Sequence, residues 1–101
     1  MFCVANRKIG LGYKPFIVAE VSANHGGSIQ RAKDTILAAK RAGADAVKIQ
    51  TYTPDTMTLD SKKPDFLISD GLWKGYNLYE LYKEAYTPFE WHQELFEFAK
   101  T

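Results

Sequence analysis

An acid, an amine and an amide draw attention because each lies at the end of a short apolar run. Glu20 closes Phe16-Ile17-Val18-Ala19-Glu20, while Lys48 and Gln50 close Ala46-Val47-Lys48-Ile49-Gln50. A carboxylate can hold or move a proton, an ammonium can neutralise a phosphate or carboxylate, and an amide can hydrogen-bond a hydroxylated ligand. Side chains alternate along a strand, so Val18 shares a face with Glu20, and Ala46 shares one with Lys48 and Gln50. The opposite faces, Ile17 with Ala19 and Val47 with Ile49, are apolar and suited to packing under helices. A lysine buried in such a setting needs an anion, whether Glu20, a substrate phosphate or carboxylate, or both. The bland alternative is a plain ion pair between neighbouring strands. Gln50 and Asn24 weigh against it, because they bring hydrogen-bonding capacity to the same end.

Thr51, Tyr52 and Asn24 are weaker candidates at that end. His25, beside Gly26-Gly27, could meet a ligand, although loop histidines more often satisfy backbone groups. His92 falls inside a helical pattern and reads as a packing or surface residue. The Gly26-Gly27 pair could offer backbone N–H groups to an anion, but it carries neither a Walker nor a dinucleotide fingerprint. No His or carboxylate pair has metal-ligand spacing, so no metal ligand is assigned in this segment.

The elements that must position these groups follow from periodicity. Lys8 to Pro15, with Gly10 and Gly12, predicts a small hairpin. Phe16–Glu20 and Asp45–Thr51 predict strands. Between them, Ser28 is placed to cap a helix whose apolar stripe is Ile29, Ala32, Ile36 and Ala39, and Gly43 to end it. Residues 51 to 77 show no period and mix hydroxyls, acids and aromatics. A loop that long is uncommon unless it is functional. Asn77 and Glu80 look like a capping box before Leu78, Leu81, Tyr82 and Ala85. Thr87-Pro88-Phe89-Glu90 reads as a further helix start, with Thr87 as its cap. Strand, helix, strand describes a βαβ unit, and in parallel α/β folds ligands bind at the carboxyl ends of the strands.

Composition narrows the function classes. A formal charge of +1 with no Lys/Arg run gives no footprint for nucleic acid. No apolar stretch approaches the roughly 18 residues that cross a bilayer. The single cysteine, Cys3, excludes an internal disulfide and fits a reducing cytoplasm. Two parallel strands cannot bury both faces of a sheet, whereas parallel sheets are normally covered on both sides. The expectation is an N-terminal portion of a larger α/β protein.

Several segments carry a resemblance. Phe16-Ile17-Val18-Ala19-Glu20, Ala23-Asn24-His25-Gly26-Gly27-Ser28, Ala42-Gly43-Ala44-Asp45-Ala46-Val47-Lys48-Ile49-Gln50-Thr51 and Tyr52-Thr53-Pro54-Asp55-Thr56 resemble the sialic acid synthase family. Gly71-Leu72-Trp73-Lys74-Gly75, Leu78 to Ala85 and Thr87-Pro88-Phe89-Glu90-Trp91 look most like its pseudaminic type, with neuraminic and legionaminic types as neighbours. A truncated, non-catalytic module is the reading from another class. The resemblance implies the N-terminal portion of a (β/α)8 TIM barrel. Residues 1–15 would be a hairpin capping it, and residues 16–101 its first βαβ unit, long loop and helices. The rest of the barrel and a C-terminal antifreeze-like domain would lie outside this segment.

It further implies condensation of phosphoenolpyruvate with an open-chain N-acetylated amino or deoxy hexose, giving a nine-carbon 2-keto sugar acid and free phosphate. The whole enzyme would be a cytoplasmic homodimer using Mn or Mg, with the metal's ligands outside this segment. By motif, Lys48 would meet phosphoenolpyruvate and Glu20 would sit beside the reacting centre. Gln50 would bind the sugar, with Asn24, Thr51 and Tyr52 in support. The segment alone is expected to be inactive.

Overall fold

The computed structural model describes residues 1–22 and 24–101; Ala23, part of one motif quoted above, lies outside the described residues. The chain opens on a hairpin whose turn is not at the glycines. Strands β1 (Phe2–Val4) and β2 (Arg7–Ile9) pair antiparallel, with Phe2 opposite Ile9 and Val4 opposite Arg7. Ala5 and Asn6 make the turn at φ 48° and 67°. Two successive positive φ values are what a two-residue hairpin turn requires, and asparagine tolerates them better than most residues. The hairpin expected over Lys8 to Pro15 is therefore displaced towards the N-terminus. Gly10 instead serves a later turn, its carbonyl accepting from the Tyr13 amide at 3.2 Å.

Asp45 fastens this hairpin to the rest of the chain. Its carboxylate pairs with the Arg7 guanidinium and also accepts from the Ile17 amide at 2.8 Å. The Ile17 carbonyl in turn accepts from the Asp45 and Ala46 amides. Ile17 thus works as a junction and stays 51% exposed; it does not pack under a helix as its strand position suggested.

The expected βαβ unit is present. Strands β3 (Val18–Ser22) and β4 (Ala46–Ile49) are parallel and are joined through α1 (Ile29–Arg41). The Ser28 hydroxyl accepts from the Arg31 amide at the head of α1, and Lys40 and Arg41 sit in its last turn, where the helix dipole favours cations. Gly43 leaves the helix at φ 95°, a conformation that glycine adopts without a side-chain penalty. The ladder sets Val18 against Ala46 and Glu20 against Lys48, then slips so that Ser22 faces Ile49. One extra β3 residue at the slip is a bulge, and Ser22 takes it up at φ 48°.

One face of this two-stranded sheet is covered. Val21, Ala32, Ile36 and Leu95 form the core, with Ile29, Val47, Ile49, Trp91 and Phe98 packed around them. Leu95, Trp91 and Phe98 come from a 3₁₀ turn (Phe89–Trp91) and α4 (His92–Ala99), which lies against α1. Lys33 of α1 pairs with Glu94 of α4 across that seam. The other face, carrying Val18, Glu20 and Lys48, is open to solvent. Among the described residues no helix or strand covers the side of the sheet that carries Lys48.

The stretch expected to be irregular is partly ordered. It holds α2 (Pro54–Met57), a 3₁₀ turn at Pro64–Phe66, and a bridge between Leu67 and Asn77. Trp73 meets Tyr76 edge-on at 5.3 Å inside that closed loop. Asn77 caps α3 (Leu78–Ala85) by accepting from the Glu80 amide at 2.8 Å. Partial burial first, and then Asp55 of α2, raises the pKa of the Tyr79 phenol on α3. A local period was invisible because α2 is one turn long and is held by α3.

Two outcomes follow. Leu95→Ala should cost about 2–5 kcal/mol of stability in denaturant unfolding, the range for truncating a buried leucine. Asp45 should make hairpin docking acid-labile. The Ile17 amide, and then Arg7, lower its pKa from 3.8 against the opposing effect of partial burial. A lowered folded pKa gives stabilisation that is complete above 3.8 and lost as pH falls through the lowered value. Amide exchange at Ile17 should accelerate over that acid range, and Asp45→Asn should remove the dependence.

Candidate functional site

Glu20 and Lys48 are neighbours by register, and the Lys48 ammonium stands 3.8 Å from a Glu20 carboxylate oxygen. The other carboxylate oxygen accepts from the Ser22 hydroxyl at 3.2 Å. Both charged side chains are more than half exposed, 57% for Glu20 and 59% for Lys48. A long, solvated pair of this kind contributes only about 0–1 kcal/mol. Its ammonium can therefore turn to an anionic ligand at little cost, with the carboxylate held beside it.

Gln50 follows β4 and is exposed. The ladder with β3 has ended at Ile49, and the Gln50 carbonyl is held from elsewhere, by the Thr87 amide at 2.9 Å. Asn24 is exposed in the turn after β3, its amide donating to the Val21 carbonyl at 3.0 Å. The acid, the amine, the amide and Asn24 thus lie at or just beyond the carboxyl ends of two adjacent parallel strands.

Thr51 and Tyr52 are half-buried and already engaged. The Thr51 hydroxyl bonds the His92 Nε2, an interaction that reading His92 as a packing residue did not foresee. Tyr52 meets Tyr82 edge-on at 5.6 Å and lies 6.3 Å from Tyr86. Burial, and then Tyr82, raises its pKa above 10, so the phenol remains a neutral hydrogen-bond donor at ordinary pH.

The residue most underrated by sequence reasoning is His25. It is fully buried, its ring edge-on to Trp91 at 5.1 Å. The Gly27 amide donates to its Nδ1 at 3.0 Å, which leaves the ring proton on Nε2, 3.0 Å from the Thr87 hydroxyl oxygen. Both nitrogens are satisfied inside the protein. Thr87 is equally buried and does not cap α4. Its hydroxyl meets His25, and the chain enters the helix through the 3₁₀ turn that follows Pro88. The Thr-Pro-Phe-Glu start signal was a real boundary, but nothing local reveals that the threonine is claimed by a histidine 62 positions away.

Among the described residues no cluster of three or more His, Cys, Asp or Glu side chains could hold a metal ion. The rim itself offers one carboxylate, facing Lys48 and Ser22, so these residues do not fit a metal centre. A groove of about 410 Å³ lies towards the other end of β4, lined by Ile36, Ala44, Ala46, Val47 and Phe98; no candidate residue lines it.

A parallel βαβ unit with a charged and amidic rim at its strand ends is an α/β arrangement. Residues 35–101 match the NeuB family, and the chain belongs to that family. It is 61% identical to the pseudaminic acid synthase of Campylobacter jejuni over 87 residues, 86% of this chain and 25% of that protein. Against the N,N'-diacetyllegionaminic acid synthase of Legionella pneumophila it is 50% identical over 60 residues, 52% of this chain and 17% of that protein. The crystal structure of the spore coat polysaccharide biosynthesis protein SpsE of Bacillus subtilis superposes with a TM-score of 0.65 at 33% identity. That alignment covers 98% of this chain and 24% of SpsE. The chain therefore spans about a quarter of the length of the Campylobacter jejuni synthase and of SpsE.

The burial of His25 has a pH consequence. Burial lowers its pKa from 6.5, so the unfolded chain takes up a proton that the folded chain refuses. Stability should be full above pH 6.5 and fall as pH drops towards the lowered value. Denaturant midpoints measured across that range should show the slope, and His25→Gln should flatten it.

Proposed function

We propose that this chain forms the first sector of a NeuB-family synthase of the pseudaminic type. The enzyme condenses phosphoenolpyruvate with an open-chain N-acetylated amino or deoxy hexose. In that reading β3 and β4 are the first two strands of a (β/α)8 barrel. Their open face looks into the barrel, and the N-terminal hairpin caps its base. The observation carrying the proposal is the pairing of Glu20 with Lys48 at the carboxyl ends of adjacent parallel strands, on the uncovered face of the sheet. The higher identity over a longer span with the pseudaminic acid synthase than with the legionaminic acid synthase supports the choice of sugar type.

The overall chemistry balances simply. A bond forms between carbon 3 of phosphoenolpyruvate and the aldehyde carbon of the sugar, water adds at carbon 2, and phosphate leaves. Phosphoenolpyruvate is a polyanion, so the principal demand on the protein is electrostatic. Lys48 neutralises its phosphate or carboxylate, turning from Glu20 to do so. Glu20 stays beside the reacting carbons, positioning the ammonium or handling a proton. Gln50 hydrogen-bonds the sugar, with Asn24 beside it. Thr51 and Tyr52 contribute from behind, as a shaped wall and a neutral phenol donor. A divalent metal, Mn or Mg, would take its ligands from outside these residues, so no step here is routed through it. The whole protein is proposed to act in the cytoplasm as a homodimer.

Phosphate release by the full-length protein tests this reading. Lys48→Ala should lower kcat/KM for phosphoenolpyruvate about 100-fold or more, the scale for removing one member of a ligand-facing charge pair, without changing the melting temperature. Unchanged kinetics would remove the assignment. Gln50→Ala should raise KM for the sugar about tenfold, a hydrogen bond's worth, and leave KM for phosphoenolpyruvate nearly unchanged. A panel of amino sugars assayed with the wild-type protein decides between the pseudaminic type and its legionaminic or neuraminic neighbours.

A further inference from the structure

The β3–β4 ladder stops at Ile49, yet Gln50 must be held still if it is to present an amide to a ligand. Its carbonyl is bonded by the Thr87 amide, 2.9 Å away. The Thr87 hydroxyl lies 3.0 Å from the Nε2 of His25, and the Nδ1 of His25 accepts from the Gly27 amide at 3.0 Å. Thr87 and His25 are both fully buried, so water does not compete for these bonds. The series runs from the loop after β3, through the lead-in to α4, to the end of β4. It joins the two loops that carry the exposed Asn24 and Gln50. His92 adds a separate clamp one residue further on, on the Thr51 hydroxyl.

We propose that His25 and Thr87 are positioning residues for the sugar end of the rim, acting through the Gln50 main chain. This rests on the reading of Gln50 as a sugar-binding residue. A neutral ring with its proton on Nε2 is the one form that serves both partners, because Nδ1 must stay free to accept from Gly27. When the His25–Thr87 bond is lost, the lead-in to α4 can shift, and the Gln50 carbonyl shifts with it. Lys48, secured within the ladder, does not follow. The signature is therefore a selective loss of sugar affinity.

The test uses the full-length protein and phosphate release. Thr87→Val keeps the main-chain amide and the side-chain shape but removes the hydroxyl. It should raise KM for the sugar about tenfold while changing KM for phosphoenolpyruvate less than twofold, since small displacements of positioning groups cost rates and affinities on this scale. Thr87→Ser should restore near wild-type values. In a Gln50→Ala background the valine substitution should have no further effect on sugar KM, because the group being positioned is gone. His25→Gln, measured in the same way, provides a second probe and is expected to show the same split if the valine variant does not accumulate in folded form. Equal losses for both substrates, failure of serine to rescue, or additivity with Gln50→Ala would overturn the positioning role. A wild-type protein that releases no phosphate from phosphoenolpyruvate with any amino sugar would overturn the functional reading, and this inference with it.

Discussion

Parallel pairing of β3 with β4 is the constraint on which everything else depends. A parallel ladder with one covered face has only one acceptable register, because a slip of one residue would turn Val47 and Ile49 outward and Lys48 inward. That register sets Glu20 opposite Lys48 and leaves both on the uncovered side. The bulge before Ser22 extends its effect. Past it, Ser22 stands at φ 48° and its hydroxyl turns back to the Glu20 carboxylate, while Val21 lies in the core.

Beyond the ladder a different kind of restraint takes over. Gln50 and Thr51 are held by side chains and amides from the α4 region, through Thr87 and His92. The buried His25 supports Thr87 from the other side. The rim is thus built in two layers, one fastened by main-chain hydrogen bonds of the sheet and one by a histidine-threonine contact between loops. A buried polar contact of this type is directional and stiff while satisfied and costly when broken, which suits it to fixing a loop's geometry.

Charge is arranged to be available. Pairs that fasten the scaffold, Arg7 with Asp45 and Lys33 with Glu94, join separate elements. The Glu20–Lys48 pair joins strands that the ladder already holds. It adds little to stability, and that is consistent with a proposed role in which the ammonium exchanges one anion for another.

Much of this was legible in the order of residues. The apolar stripe of α1, its Ser28 cap, its Gly43 exit and the two β-branched runs follow from local propensities that the sheet and helix only reinforce. Alternation along the strands places Glu20 and Lys48 on the same kind of face. The hairpin turn was misplaced because Gly10 and Gly12 are stronger turn signals than Ala5-Asn6, although two residues between matched strands is the tighter solution. The one-turn α2 escaped notice because no window that short shows a period.

What the sequence determined by itself was the βαβ order and the chemical character of the rim, since both rest on neighbours in the chain. The tertiary structure alone decided how those residues are disposed: Glu20, Lys48, Gln50 and Asn24 exposed, Thr51 and Tyr52 engaged, His25 buried against Thr87. Burial and the pairing of His25 with Thr87 arise from packing between segments far apart in sequence, and no local pattern encodes that distance.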